Sequence, residues 1–401
     1  MSVILQINTT VNSGSTGRIA EDIAKLVMQQ GHESYIAFGR GNRPSSSKTI
    51  RIGGEWITKM HMLKSRLLDR HGFGSTRATR EFVKKLTSIN PDIIHLHCIH
   101  GYYLNVEVLF NYLKQAGKPV VWTFHDCWPF TGHCSYFDAV NCYKWGSECH
   151  KCPNLGGYPK SWFRDNSKNN FHRKKDLFNG ISNLTIVTPS KWLADHTKNS
   201  FLKEYPVEII HNGVDLDMFK LRDNKTKSRY NIRKKNYILG VASVWDKRKG
   251  LSDFLRLRDI LPKEMEIVLV GLNQKQISDL PNGITVIART ENVTELADLY
   301  SCASVFANPT YVDNFPTTNI EALACGTPVV TFNTGGSPEA IDDRTGLVVE
   351  KGDIKGLAEA IKIITEKGKG HYAPICRERA ERLFNKDERF MDYLQLYESL
   401  I

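Results

Sequence analysis

No run of about eighteen consecutive apolar residues occurs in the 401-residue chain, so no transmembrane helix is expected. The opening Met1-Ser2-Val3-Ile4-Leu5-Gln6-Ile7-Asn8 has neither a basic segment nor a long apolar core. It reads as a first β-strand rather than a signal peptide, which makes the cytosol the expected compartment. Low-complexity tracts and short-period repeats are missing too. So are zinc-finger, RRM and KH patterns, and without them the net charge of +11 does not point to nucleic acid. Phosphorylated substrates and an anionic membrane surface are the partners left for that charge. In a cytosolic chain, nine cysteines argue against a disulfide framework and for metal or free thiols.

What the chain has is alternation. Strand-like runs stand at 3–7, 33–38, 93–96, 120–124, 184–188 and 207–210. They resume at 237–242, 266–270, 284–287, 304–307 and 328–332. Helical patterns such as 18–30 and 294–302 separate most of them. Alternating strand and helix predicts parallel sheets covered on both faces, and the double series predicts an α/β chain of two doubly wound domains. The boundary is expected at 211–231, where an Asn212-Gly213 turn signal precedes the charged run 222–235. The stretch 375–400 is helical and amphipathic.

The chemistry concentrates in the second half. Asp313 and Glu321 flank a Phe315-Pro316 turn and small polar residues. A short helix then opens, stops at Gly326 and runs into the strand from Val329. The first-turn amides of such a helix carry partial positive charge and suit a phosphate, while the carboxylates suit the hydroxyls of a sugar or ribose. Lys247, Arg248, Lys249 and Gly250 follow a strand, as does Gly335-Gly336-Ser337. Strand ends are where doubly wound sheets bind ligands, and basic side chains there neutralise a diphosphate. Phosphate plus polyol describes a nucleotide sugar.

On these residues the chain resembles the retaining glycosyltransferases of family 4, which have the GT-B fold. Asp313 and Glu321 match the family's carboxylate pair, and Glu321-Ala-Leu-Ala-Cys-Gly-Thr-Pro-Val-Val matches its strongest block. Lys249-Gly250 matches its diphosphate-binding lysine, and Asn212-Gly213-Val214-Asp215 the entry to its donor domain. The segment from His125 to Cys134 resembles a subgroup found with bacterial capsule, exopolysaccharide and colanic-acid-type clusters. Two departures stand out. Asp313 is shorter than the usual Glu, and Ser243 occupies the place of the usual Arg.

The resemblance implies two Rossmann-like domains facing a central cleft. Residues 1–211 would form the acceptor side, with the final helix 386–401 packing back on it, and 212–385 the donor domain. Arg248 and Lys249 would hold the diphosphate. Glu321 would bond the ribose, and Asp313 with Asn314, Phe315, Pro316 and Thr317 the transferred sugar. Gly17, in the loop Gly14–Arg18, would approach the donor phosphates, and His125 would contact the transferred sugar. No catalytic metal is implied.

Three further features of the first half need a reading. His95, His97 and His100 suggest a metal at first sight, but two lie on a strand and one in a loop, and cleft lining is favoured over metal. Cys134, Cys142, Cys149 and Cys152 end in a Cys-x-x-Cys half-site and are candidates for a structural zinc, with reduced thiols and disulfides as alternatives. Cys127, His133 and His150 are substitute ligands. Trp56, Met60, Leu63 and Leu67 recur at helical spacing among Lys59, Lys64, Arg66, Arg70, Arg77, Arg80, Lys84 and Lys85. That stretch is either a helix packed on the sheet with a solvated basic face or a membrane-docking surface.

The expected activity is transfer of a sugar from a nucleotide-diphosphate sugar to a glycan or polyprenyl-diphosphate-linked acceptor at the inner face of the plasma membrane. A sugar-nucleotide epimerase and a non-enzymatic glycan- or nucleic-acid-binding protein are the rival readings.

Overall fold

The computed structural model describes residues 1–401 except 42, 223–228, 231, 233, 235 and 279. The charged run 222–235 therefore falls largely outside the described residues. The chain divides into two compact units: Met1–Ile210 with Phe390–Ile401, and His211–Arg389.

The first unit is a seven-stranded sheet of order β3-β2-β1-β4-β5-β6-β7. Its strands are β1 (Val3–Thr10), β2 (Glu33–Arg40), β3 (Lys48–Arg51), β4 (Ile93–Leu96), β5 (Val120–Thr123), β6 (Leu184–Thr188) and β7 (Val207–Ile209). Every pairing is parallel. β4, β5 and β6 are buried along their whole length, as covering on both faces requires. One face packs the cluster around Leu96, Phe110, Trp122 and Phe178. The other packs Ile4, Ile93, Val121 and Val187 against Phe390, Tyr393, Leu394 and Tyr397 of the final helix, Lys386–Leu400.

The second unit repeats the plan with β8 (Tyr237–Val241), β9 (Glu266–Val270), β10 (Ile284–Ile287), β11 (Val305–Asn308), β12 (Val329–Phe332) and β13 (Gly346–Val349). Its order is β10-β9-β8-β11-β12-β13, again wholly parallel. Each order reverses beside its first strand, which makes the switch point where such sheets bind ligands.

All eleven expected strands are present. β3 and β13 were not expected. β3 is a polar edge strand, Lys-Thr-Ile-Arg, whose side chains are mostly exposed, so it shows no apolar run. β13 opens on a glycine and is not fully buried at Leu347 and Val348, so it does not stand out as a buried run. The expected C-terminal helical stretch is two helices, Lys369–Phe384 and Lys386–Leu400, parted at Asn385. Asn385 pairs with Val214, and a Cβ on Gly213 would meet Lys386 Cα at 2.3 Å. The Asn212-Gly213 signal thus marks a close approach of two backbones as well as a turn.

Candidate active site

In the second unit the sequence-predicted residues converge at the C-terminal ends of β8, β11 and β12. After β8 the chain makes a single 3-10 turn, Lys247–Lys249. Asp246 caps it: its Oδ1 accepts from the Arg248 amide and its Oδ2 from Arg248 Nε, each at 2.9 Å. Gly250 follows at φ 71°, where a Cβ would meet Pro309 O at 2.2 Å. Only glycine lets the basic turn sit this close to the loop after β11. The Tyr311 amide then donates to Arg248 O at 2.7 Å.

This brings Lys249 onto Asp313. Lys249 Nζ donates to Asp313 Oδ2 at 2.5 Å, and both side chains are about one-quarter exposed. Asp313 is in turn fixed by the Gly-rich loop, because the Gly336 amide donates to Asp313 O at 3.1 Å. A Cβ on Gly335, at φ 56°, would meet that same carbonyl at 1.8 Å.

The helix Thr317–Ala324 begins at Pro316 with no side chain capping its first turn. It is anchored from beneath by a buried polar network. Asn308 Nδ2 donates to Asn319 Oδ1 at 2.8 Å, and Asn319 Nδ2 donates to Ser337 O at 3.1 Å. Thr331 Oγ1 shares a hydrogen bond with Ser337 Oγ at 2.6 Å and donates to Asn308 O. Phe315 is buried, stacked on His211, and accepts at its carbonyl from Asn212. Glu321, half-buried on the helix, accepts from the Tyr300 hydroxyl at 3.1 Å. The site therefore gathers basic groups, first-turn amides, a Gly-rich loop and two carboxylates.

The first unit presents its residues at the ends of β1, β4 and β5. Gly17 is buried on the helix Gly14–Gln29, where a Cβ would meet Thr10 Oγ1 at 2.8 Å. His125 Nε2 and His97 Nδ1 share a hydrogen bond at 3.1 Å with their rings stacked. Burial pulls the His125 imidazole down to about 4, against the pull of Asp126. Asp126, its sequence neighbour, acts on it electrostatically and is engaged elsewhere as well. It accepts from His100 Nε2 at 2.9 Å and caps the Trp128 amide.

His95 corrects the cleft-lining expectation. It is 0 % exposed, bridging Thr123 Oγ1 at 2.8 Å and the Tyr397 hydroxyl at 2.6 Å. The final helix covers it, a long-range contact that the local pattern did not show. Among the described residues no group of three or more His, Cys, Asp or Glu is arranged to hold a metal ion. Cys134, Cys142, Cys149 and Cys152 are free thiols that line one pocket together with His133 and His150.

The helix Glu55–Leu68 also differs from the packed-helix reading. Its buried residues are His61 and Ser65, whereas Trp56 is 77 % exposed and Met60 58 %. Leu63 and Leu67 continue the same exposed stripe. Trp162 and Phe163, not singled out from the sequence, lie exposed as well; the Trp162 amide donates to Arg66 O, and the Arg66 guanidinium stands 5.2 Å from the Trp162 ring centroid. Tyr300 was likewise missed, since a tyrosine on the helix Val293–Cys302 carries no signal of its partner in the next helix.

Comparison with known proteins makes this two-sheet chain a glycosyltransferase. Residues 16–218 match the family described as Glycosyltransferase Family 4, and residues 235–367 that described as Glycosyl transferases group 1. The chain belongs to glycosyltransferase family 4. It is 24 % identical to an Escherichia coli protein bearing the name of colanic acid biosynthesis glycosyl transferase WcaC, over 99 % of this chain and 100 % of that one. It is 30 % identical to D-inositol 3-phosphate glycosyltransferase of Mycobacteroides abscessus, over 71 % of this chain and 64 % of the relative. Among solved structures it resembles sucrose-phosphate synthase of Thermosynechococcus elongatus, with a TM-score of 0.75 at 19 % identity over 100 % of this chain and 99 % of that one. Anabaena Alr3699/HepE, solved in complex with UDP-glucose, gives 0.69 at 15 % identity over 100 % of both chains. These likenesses show the GT-B fold.

Proposed function

We propose that this chain is a retaining glycosyltransferase that moves a sugar from a nucleoside-diphosphate sugar to a polyprenyl-diphosphate-linked glycan in surface polysaccharide biosynthesis. The observation that carries the reading is the Lys249–Asp313 contact beside the Gly335–Gly336 loop, with Glu321 on the adjoining helix. A diphosphate carries more charge than a carboxylate and takes Lys249 from Asp313. Asp313 is then released to accept hydrogen bonds from the hydroxyls of the transferred sugar, and Glu321 accepts from the ribose. Transfer breaks the bond between the anomeric carbon and a diphosphate oxygen. A bond to the acceptor oxygen forms on the same face, and the acceptor proton passes to the departing diphosphate. Lys249, Arg248 and the first-turn amides of the helix Thr317–Ala324 stabilise the charge that develops there, so the reaction requires no catalytic metal. The proposal keeps His125 for the transferred sugar and Gly17 for the donor phosphates.

The name of the Escherichia coli relative supports polysaccharide synthesis, and the UDP-glucose complex of the Anabaena protein supports a nucleotide-sugar donor. The exposed stripe Trp56–Met60–Leu63–Leu67, with Lys59 and Arg70 beside it, supports docking on an anionic leaflet where a lipid-linked acceptor resides. Among the described residues no helix is long and apolar enough to cross a membrane.

The decisive experiment is a thermal-shift screen against UDP-, GDP- and ADP-sugars, followed by transfer to a lipid-linked acceptor with the anomeric configuration of the product read by NMR. A donor at a hundred times its dissociation constant adds about 2.7 kcal/mol of stability. Absence of any shift would reject the donor site. An inverted product would reject the retaining mechanism, and acceptor-free isomerisation of the donor would make the chain an epimerase.

A further inference from the structure

The segment from Thr131 to Asn166 contains no strand and no α-helix, only the short turns Phe137–Val140 and Lys144–Gly146. Backbone ladders do not hold it. Its apolar side chains Phe137 and Trp145 pack on Phe130, yet four cysteines and two histidines gather inside it around one pocket. Of these cysteines only Cys134 is buried, so packing alone does not account for the cluster.

Three details point to an ion in that pocket. First, His133 is 2 % exposed and lines the pocket; its Nδ1 bonds Asp69 Oδ1 at 2.5 Å, while its buried Nε2 has no hydrogen-bond partner. A carboxylate holding one imidazole nitrogen leaves the other as a lone-pair donor, the arrangement that metal-bound histidines adopt. Second, the Gly132 amide donates to Cys149 Sγ at 3.2 Å, and a Cβ on Gly132 would meet Cys149 Cβ at 2.7 Å. The glycine permits an N–H to reach a sulfur, the kind of backbone contact that orients a ligand sulfur. Third, Lys174 is buried beside the cluster with its Nζ on Trp128 O at 2.7 Å and Thr131 O at 3.0 Å. The Asp126 and Asp69 carboxylates lie near enough to favour its charge but, among the described residues, not to hydrogen-bond it. A buried ammonium held by two carbonyls and, 3.4 Å away, the Trp128 ring centroid is costly unless negative charge lies near. A divalent ion wrapped in three or four thiolates is a net anion and adds to that charge.

We propose that Cys134, Cys149 and Cys152 bind one zinc ion, with Cys142 or His133 as the fourth ligand. The site is structural: a full tetrahedral set leaves no open position for substrate. None of this depends on the donor-site reading. As the chain stands, no three of these groups already form a metal-holding set, so binding requires the thiol side chains that line the pocket to turn inward. The ion then staples the loop segment, and binding free energy becomes folding free energy.

The test uses the full chain purified without chelator. Elemental analysis should find about one zinc per chain. Exchange for cobalt should give the absorption of a tetrahedral thiolate site, together with a thiolate-to-cobalt charge-transfer band. Cys149→Ser should abolish metal binding, and Cys302→Ser, in the other unit, should retain it. Loss of the cobalt spectrum in Cys142→Ser or in His133→Asn identifies the fourth ligand. Should Cys149→Ser fail to fold, the cobalt spectrum of the unsubstituted chain still decides. Protein without zinc that also takes up no cobalt in a tetrahedral thiolate site would overturn the proposal. So would intact mass and peptide mapping that find disulfides among the four cysteines.

Discussion

The Tyr300 hydroxyl, on the helix Val293–Cys302, donates to Glu321 Oε2 at 3.1 Å from a fully buried ring. Tyr300 is itself pinned, since its carbonyl accepts from Thr327 Oγ1 at 2.5 Å and Lys369 Nζ at 3.2 Å. The carboxylate proposed to bind the ribose is therefore held by a rigid second helix. Tyr300→Phe should raise the donor KM roughly tenfold, the worth of about one hydrogen bond to a charged group, with kcat within about twofold. Steady-state kinetics with varied donor reads the split. A fall in kcat at unchanged KM would mean that Tyr300 acts elsewhere.

The Lys249–Asp313 contact makes a second prediction. Lys249→Ala removes a preorganised positive charge from the leaving group and should lower kcat/KM roughly a hundredfold, about 3 kcal/mol. Glu321→Gln should cost a similar factor. Because Lys249 and Asp313 touch, Asp313→Asn in the Lys249→Ala background should cost less than Asp313→Asn alone. Full additivity in the double-mutant cycle would show that the pair does not act as a unit.

Much of this was legible in the sequence, for physical reasons. Strands such as β4, β5, β6 and β12 showed because fully buried parallel strands are short apolar runs, and the turn after β11 showed because proline and a carboxylate gather there at a strand end. The polar edge strand Lys48–Arg51 left no such trace. Pairings across sequence distance were invisible. Asp126 stands next to His125 in the chain and pairs with His100, and His95 looks open locally but lies under Tyr397. The Trp56–Leu67 stripe gave the right period and left its face open, since periodicity fixes which residues share a side and not which side is covered; the structure leaves that side exposed.

His95 and His61 are two of the histidines, with His71, His97 and His125, that burial holds in the neutral form and that make folding depend on pH. Burial lowers the His95 and His61 imidazoles each to about 3 from an ordinary value of 6.5. The unfolded chain takes up these protons as pH falls through 6.5, and the folded chain does not until about 3. The stability these two histidines contribute is thus full above 6.5 and is lost between 6.5 and about 3. Each histidine should cost roughly 2 kcal/mol by about pH 5. Urea unfolding from neutral pH down to about pH 5 should show the decline, and His95→Gln should flatten its slope. An unchanged slope would mean that His95 is charged in the folded state.

The exposed stripe on Glu55–Leu68 makes the last prediction. Trp56, Met60 and Leu63 face solvent while His61 and Ser65 are buried, so an interfacial helix is already presented with its apolar side outward. Lys59 and Arg70 are exposed beside it, and each basic side chain near an anionic leaflet adds about 1 kcal/mol. Vesicles of phosphatidylcholine with phosphatidylglycerol should sediment the unsubstituted chain, and rising salt should weaken the binding. Lys59→Gln with Arg70→Gln should weaken it roughly thirtyfold at low salt, about 2 kcal/mol. Trp56→Ala with Met60→Ala and Leu63→Ala should weaken it at every salt concentration, because lost apolar contact is not screened. These side chains lie outside the buried core, so transfer to a soluble acceptor should be retained in both variants. Equal sedimentation of all three proteins would reject docking through this face. Loss of soluble-acceptor activity alongside membrane binding would assign the stripe to the folded core of the first unit instead.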